Sequence, residues 1–419
     1  MSTPRVVIIG GGFGGLQAAK QLANAPVQVT LLDCRNHHVF TPLLYQVATA
    51  GLSPGDIASP IRWILRRQRN VSVQLAEARG IDAGRRVVVL ADGPELPYDY
   101  LILATVATHA YFGHPEWAEV APGLKTLEDA LTIRRKVLTA FERAEREPNP
   151  AEQRRLLTFA VVGAGPTGVE LAGALAEISR HALRNDFRTI APETARIILI
   201  EAGPAVLAAY PDHLRAFART ALERLGVSVW TGSPVSAISP GRLRVGDETI
   251  DAGTILWAAG ISASPLGSTL GTERDRAGRV VVNEDLSVAE HPEIFVVGDL
   301  AALNGADGKQ LPGVIQFALQ QADCAAANIL RTLKNESRMP FSYHDLGNMA
   351  TIGRNSAVCD LGWIRLKGVT AWLAWVFLHV YKLIGFRNRL SVMTQWAFSY
   401  LTYQRSVRLI THERAADSE

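Results

Sequence analysis

Apolar residues along this chain fall into three patterns, and each predicts a different element. The first is the short, mainly apolar run: "RVVII" at residues 5–9, "VQVTLLD" at 27–33, "LTFAVV" at 157–162, "RIILI" at 196–200 and "IFVV" at 294–297. Mainly apolar runs of strand length predict buried strands. The second follows two of those runs directly, where a glycine-rich turn opens into Ala/Leu-rich helices, "LQAAKQL" and "VELAGALAEI". The third occupies the end of the chain. Residues 370–389, "TAWLAWVFLHVYKLIGFRNR", are apolar on nearly every side, yet His379 and Lys382 interrupt them and Arg387 and Arg389 close them. A bilayer crossing needs roughly 20 mostly uncharged residues, so this stretch does not read as a span. Residues 390–405 then place Leu390, Met393, Ala397, Tyr400 and Leu401 on one helical stripe, with Ser391, Gln395, Ser399 and Thr402 elsewhere. That spacing predicts an amphipathic helix lying along a surface.

The two glycine turns carry the chemistry. In "GGGFGG", Gly10 suits a tight turn, Gly12 lets the backbone approach a pyrophosphate, and Gly15 lets the helix pack on the strand. The helix N-terminus supplies N–H donors and the positive end of its dipole. The next strand ends at Asp33, an acid placed to accept hydrogen bonds from ribose hydroxyls. The pattern recurs in "GAGPTG", with Gly163, Gly165 and Gly168, and closes at Glu201. Two cradles imply two dinucleotides, most commonly a tightly held flavin and an exchangeable nicotinamide. A carboxylate at the ribose repels a 2′-phosphate and no Arg follows immediately, so Glu201 predicts NADH over NADPH. A third strand ends in Gly298-Asp299. Asp299 could meet the ribityl or pyrophosphate part of a flavin, or cap a following helix.

Charge changes the picture at one end only. The 419 residues are 48% hydrophobic and 20% charged with a net charge of +3, ordinary for a folded chain of two or three domains. Residues 361–412 hold seven of the 43 Lys and Arg and no acid, which leaves 36 bases against 40 acids elsewhere. A mildly acidic body with a basic tail points to an anionic partner, membrane or nucleic acid. Four of the eight Trp (Trp363, Trp372, Trp375, Trp396) fall in this region with Tyr381, Tyr400 and Tyr403. These suit headgroup depth, and the apolar density argues against nucleic acid. Cys34, Cys324 and Cys359 form no CxxC and indicate neither a disulfide framework, a zinc site nor a redox pair, so a reducing compartment is expected. The N-terminus runs directly into a strand, which predicts no secretory signal. The ten His show no metal-ligand spacing.

Taken together, the chain resembles the type II NADH dehydrogenases, single-subunit NADH:quinone oxidoreductases of the two-dinucleotide-binding flavoprotein superfamily, over essentially its whole length. The matching segments include "NHHVFTPLLYQVATAGLSPGDIASPIR", "VVGAGPTGVELAGALAE", "ILWAAGI", "FVVGDLA", "LPGVIQFALQQ", "GNMATIGRNSAV" and "LIGFRNRL". The glycine turns are shared across the superfamily; "PLLYQVATAGLSP" and the segments from "GNMATIGRNSAV" to "GFRNRL" are more specific.

The resemblance implies an α/β fold with two Rossmann-like domains for FAD and NADH and a C-terminal membrane-docking region. The expected boundaries are 1–112 and 283–340 for the FAD domain, 113–282 for the NADH domain and 341–419 for the docking region. FAD would rest on Gly10, Gly12, Gly15, Asp33, Ala78, Gly298 and Asp299, with Ile315 and Gln316 beside it; NADH would rest on Gly163, Gly165, Gly168 and Glu201. Glu170 matches a carboxylate near nicotinamide and flavin, although a helix first-turn Glu would look the same. Gln316 and Gln320, on one helix face, match a segment beside the flavin and quinone pocket, although solvent-facing glutamines would also fit.

The implied reaction is two-electron reduction of a membrane quinone, ubiquinone or menaquinone, without proton pumping. The place is the cytoplasmic face of a bacterial inner membrane, with anionic lipid, and a homodimer is a further possibility. Two departures stand out. Val106 replaces the usual glycine after "DYLILAT", and Ile315 stands where a small residue is usual. They keep a redox sensor with little turnover as an alternative reading; another quinone or disulfide reductase of the superfamily is a second, which the cysteine spacing disfavours. Neither cradle draws a strand from residues 369–419, so the tail is expected to be dispensable for their folding. It is expected to anchor the protein, a dimer interface or buried terminal helices being the alternatives.

Overall fold

The computed structural model describes residues 3–305, 308, 311, 313–402, 405 and 407–410, apart from the Leu401 side chain. Tyr403, expected at headgroup depth, and the Leu401 side chain, expected on the apolar stripe, therefore lie outside the described residues.

The chain divides into two compact units. The first takes residues 1–39, 58–109 and 261–346. Its six-stranded sheet runs, from edge to edge, Ser287–Val288, His291–Val296, Tyr100–Leu103, Arg5–Ile9, Gln28–Asp33 and Val71–Leu75. All neighbours are parallel except the edge pair Ser287–Val288 and His291–Val296. Parallel strands need covering on both faces, which is why "VVII" has no polar residue: Val6, Val7, Ile8 and Ile9 are all buried. Arg5–Ile9 pairs on one side with the next strand in sequence and on the other with Tyr100–Leu103, much later in the chain. The sheet reverses direction of build there, so a crevice opens at the carboxyl end of Arg5–Ile9, where the glycine turn sits.

The second unit takes residues 40–57, 110–260 and 347–419. Its four-stranded parallel sheet repeats the plan in the order Val227–Trp230, Arg196–Ile200, Thr158–Val162 and Thr254–Trp257, with the reversal beside Thr158–Val162. An antiparallel sheet of Asn348–Gly353, Ser356–Asp360 and Arg365–Gly368 follows. It packs on the helix Pro166–Glu177 so closely that a Cβ on Gly173 would fall 1.8 Å from the Ile352 carbonyl oxygen.

The unit boundaries differ from those expected at 112, 282 and 340. Strand Val280–Val281 pairs with Ala301–Ala302, which draws the chain back into the first unit before residue 283. Residues 40–57, expected within the FAD domain, belong to the second unit because the helix Leu44–Ala48 packs on Leu127–Arg146 and Pro166–Glu177. The C-terminal region is likewise part of the second unit's core: Ala371 is buried with Ala357 and Cys359, and Trp375 and Val392 are buried too. The tail, expected to be dispensable for the folding of both cradles, instead supplies part of the core in the second unit.

Val369–Lys382 and Phe386–Thr402 are the last two helices among the described residues. The second is amphipathic in an inverted sense. Leu390, Met393 and Ala397 are exposed, but Tyr400, expected on the same stripe, is half-buried against Trp372, and Ser391 and Gln395 turn inward and donate to the two Asp56 carboxylate oxygens at 2.7 and 2.9 Å. On the first helix Val369, Leu373, Phe377 and Tyr381, spaced by four, form a second outward apolar stripe. Among the described residues no helix is long and apolar enough to cross a membrane.

Candidate active site

Both glycine turns are built alike. Gly10 and Gly163 have φ of 107° and 100°, a region that penalises any side chain. A Cβ on Gly10 would also lie 2.4 Å from the Ala104 carbonyl oxygen, and one on Gly163 2.6 Å from the Ala258 carbonyl carbon. At Gly15 and Gly168 a Cβ would fall 1.8 Å from the carbonyl oxygens of Gly10 and Gly163, so each helix start crosses its turn in backbone contact. The middle glycines face the other way, into open space. A Cβ on Gly165 meets nothing within 4 Å, and one on Gly12 meets only Val106 Cγ2 at 3.5 Å. Bare backbone beside a helix N-terminus fits a pyrophosphate.

The two carboxylates take equivalent posts. Asp33 Oδ2 accepts from the Gly11 N–H at 2.5 Å and Oδ1 from the Arg35 N–H at 2.6 Å. Glu201 Oε2 accepts from the Ala164 N–H and Oε1 from the Gly203 N–H, both at 2.7 Å. Each is pinned across its glycine turn with lone pairs left for ribose hydroxyls. Ala78 begins the strand Ala78–Asp82, shortly after Leu75, which stands opposite Asp33 in the sheet.

Around the first cradle, Asp299 Oδ2 accepts from the Ala107 N–H at 3.3 Å. Asp299 lies inside the short turn Gly298–Leu300, whose cap is Val297, so the helix-cap alternative does not describe it. Gly298 has φ of 73° and donates its N–H to Gln321 Oε1 at 2.7 Å. Sequence reading passed over Gln321, although it follows the buried Phe317 by one helical turn, the signal of an inward face. It also passed over His38, whose Nδ1 contacts the Gly11 carbonyl at 3.1 Å, and Thr105. His38 Nε2, Thr105 Oγ1 and Gln321 Nε2 are buried without a protein partner, as groups awaiting a polar ligand would be. Burial lowers the His38 pKa to about 4, so its ring is neutral.

Ile315 and Gln316 open the helix Ile315–Leu333, both half-buried. Gln320 does not project freely from it: Nε2 donates to the His344 carbonyl at 2.9 Å, and Oε1 accepts the His344 N–H at 2.9 Å. Val106 keeps a negative φ, so its backbone carries no strain from standing in place of glycine. Its side chain, 51% exposed, stands over Gly12 instead.

In the second unit, Glu170 is the fifth residue of Pro166–Glu177 and faces a cavity of about 300 Å³ rather than the helix end. Tyr45, Gln46, Glu177, Trp375, Trp396 and Arg405 share the lining. Burial raises the Glu170 pKa from 4.5 to about 8, opposed only by the Thr351 N–H at 3.5 Å. The acid therefore holds its proton at neutral pH. Between 4.5 and 8 the folded chain binds a proton that the unfolded chain releases, so this group's contribution is fully present below pH 4.5 and is lost as pH rises towards 8. The denaturation midpoint should fall across that window, and Glu170→Gln should flatten the fall. Equal slopes for both proteins would show that Glu170 ionises normally.

Nearby, Arg405 donates to the Thr49 carbonyl at 2.6 Å and pairs with Glu177 at 3.1 Å, and Arg408 pairs with Asp186. Arg365 pairs with Asp360 at 3.3 Å and Arg389 Nε donates to the Leu383 carbonyl at 2.8 Å, so at least four of the seven C-terminal cations are engaged with the protein itself. Lys382 and Arg387 are exposed.

Comparison with known proteins agrees with this geometry. The pyridine nucleotide-disulphide oxidoreductase family matches residues 4–322, and the NDH2 C-terminal domain matches residues 345–404. The chain is 45% identical to the type II NADH:quinone oxidoreductase Ndh of Mycobacterium tuberculosis, over 98% of this chain and 91% of that one. It is 31% identical to the demethylphylloquinone reductase NdbB of Synechocystis, covering 94% and 95%. In fold it matches NDH2 from Plasmodium falciparum in complex with NADH, with a TM-score of 0.90 at 20% identity over 98% of this chain and all of that one. The sulfide:quinone oxidoreductase of Aquifex aeolicus follows the same fold less closely, at a TM-score of 0.74, 20% identity, and coverage of 99% and 98%. Two matched glycine cradles and a C-terminal domain of this kind, at 45% identity over nearly the full length, make the chain a member of the type II NADH:quinone oxidoreductases.

Proposed function

We propose that this chain oxidises NADH and reduces a quinone at a membrane surface, with FAD on the first cradle and NADH on the second. The observation that carries the reading is the duplicated turn, each with open backbone at its middle glycine and a carboxylate pinned beside it. Bound FAD would supply the hydride acceptor and return two electrons. The chain's part is to hold and orient. Gly10, Gly12, Gly15, Asp33, Gly298 and Asp299 would hold the flavin nucleotide, with His38, Thr105 and Gln321 offering their unpartnered polar atoms. Gly163, Gly165, Gly168 and Glu201 would hold NADH. Glu170, neutral in its cavity, keeps a proton close to where a reduced quinone needs one. Gln320 is engaged with His344 through both ends of its amide.

The rival disulfide chemistry needs a reactive thiolate. Burial instead pushes the Cys324 and Cys359 thiols up to about 11. All three cysteines are free thiols, which supports a reducing compartment and hence the cytoplasmic face of the membrane. The outward apolar stripes on Val369–Lys382 and Phe386–Thr402 support docking in the lipid interface.

The test is a visible spectrum of purified protein, followed by NADH. Flavin absorbance that bleaches on NADH and recovers on adding a quinone supports the enzyme; bound flavin that NADH leaves unchanged would return the chain to the sensor class. Glu201→Gln should narrow the preference for NADH over NADPH in kcat/KM about tenfold or more, since it removes a charge beside the 2′ position. An unchanged ratio would sink that assignment.

A further inference from the structure

The first unit carries a basic face that the charge balance of the whole chain hides. Arg62, Arg66, Arg67 and Arg69 fall within eight residues, and no acid lies between Asp56 and Glu77. All four are exposed, and among the described residues none of them pairs with a carboxylate.

The face is held in place. Ile61 and Leu65, at the two ends of the helix Ile61–Leu65, are buried beneath it. Gln68 Nε2 donates to the Ala19 carbonyl and Asn70 Nδ2 to the Leu22 carbonyl, both at 2.8 Å, which ties the segment after that helix to the end of Phe13–Gln21. Trp63, 46% exposed, stands among the arginines, and the Arg66 guanidinium lies 4.3 Å above its ring. Arg66 Nη1 donates to the Trp63 carbonyl at 2.7 Å, which leaves Nε and Nη2 without a protein partner among the described residues.

This chemistry describes a partner. Guanidinium donors match phosphate oxygens in pairs, and an indole beside them suits the depth of lipid headgroups. A nucleic acid would want several aromatic rings interleaved with the cations, and residues 61–70 hold one. The C-terminal tail, whose basic sequence suits anionic lipid, has at least four of its seven cations engaged with the protein. In the first unit all four arginines are left for a ligand.

We propose that the face formed by Arg62, Trp63, Arg66, Arg67 and Arg69 binds the phosphate headgroups of anionic phospholipid, so that the first unit, and not the C-terminal tail, sets the lipid preference. This rests on the membrane reading above. Exposed charges are screened over about 8 Å at physiological salt, so four arginines alone hold a vesicle weakly. The apolar stripes decide whether the protein docks, and the arginines decide which lipid it favours.

The experiment is co-sedimentation of the full-length holoenzyme with phosphatidylcholine vesicles, with and without phosphatidylglycerol. The unaltered protein should bind the phosphatidylglycerol vesicles more tightly, and added salt should remove the difference. Arg62→Gln, Arg66→Gln, Arg67→Gln and Arg69→Gln together should reduce that preference on the order of 100-fold, at about fivefold per arginine. Binding to phosphatidylcholine alone and NADH oxidation by a soluble dye should stay as they were. The same four positions changed to Lys should keep most of the preference; a loss equal to that of the Gln variant would trace it to packing and overturn the proposal. Survival of the preference in the Gln variant, or its disappearance in Lys382→Gln with Arg387→Gln instead, would overturn it too. In the first case, lost binding of a labelled oligonucleotide would give the face to nucleic acid, and self-association of the variant would make the arginines guards of the edge strand Val71–Leu75. If the unaltered protein binds both vesicles equally, this proposal alone falls; if it sediments with neither, the membrane reading falls with it.

Discussion

Changing Leu373, Phe377 and Phe386 together to aspartate will release the protein from anionic liposomes while NADH oxidation by a soluble dye survives. These side chains are 56%, 73% and 81% exposed, so the substitutions remove little from the protein core. In the lipid interface each would bury apolar area corresponding to about 1.5–3 kcal/mol, and a carboxylate adds repulsion from anionic headgroups. Losing all three should cost on the order of 5 kcal/mol, or roughly 1,000- to 10,000-fold in partition. Co-sedimentation measures it. Continued binding would move the anchor elsewhere, and loss of a dimer with liposome binding intact would assign this face to self-association. Deleting the tail would be a poorer test, because Ala371, Trp375 and Val392 belong to the second unit's core.

Gly15→Ala and Gly168→Ala should separate the two cofactors. Each added methyl would sit 1.8 Å from a backbone carbonyl oxygen of its own turn, so the helix must back away from the strand. Overpacking of this kind costs about 1–3 kcal/mol or more, and it would also displace the N–H groups that the proposed function turns toward a pyrophosphate. Gly15→Ala should purify with little flavin. Gly168→Ala should keep its flavin colour but bleach only at much higher NADH concentration. Absorbance spectra and an NADH titration of both proteins check this, and the reverse result would exchange the assignments of the two cradles.

Much of this molecule is local and therefore readable along the chain. A buried parallel strand shows itself as a mainly apolar run, and a turn that presses backbone on backbone shows itself as glycine. Gly10, Gly15, Gly163 and Gly168 announce both cradles before any contact is known, and Asp33 and Glu201 follow at strand ends where a carboxylate can reach the turn. What the sequence could not decide depends on which residues meet across long separations. Apart from the family resemblance, nothing along the chain separates Glu170 from an ordinary helical glutamate until Asn348–Gly353 packs against its helix and burial raises its pKa to about 8. Gln320 and Gln321 are adjacent and chemically identical, yet one clamps His344 and the other holds Gly298, because a helix turns them about 100° apart. The helical period predicted two faces for Phe386–Thr402, but Asp56, far away in sequence, draws Ser391 and Gln395 inward. Periodicity orders residues around an axis, whereas the partner that satisfies each face comes from another part of the chain, so only the tertiary structure could turn the apolar stripe outward.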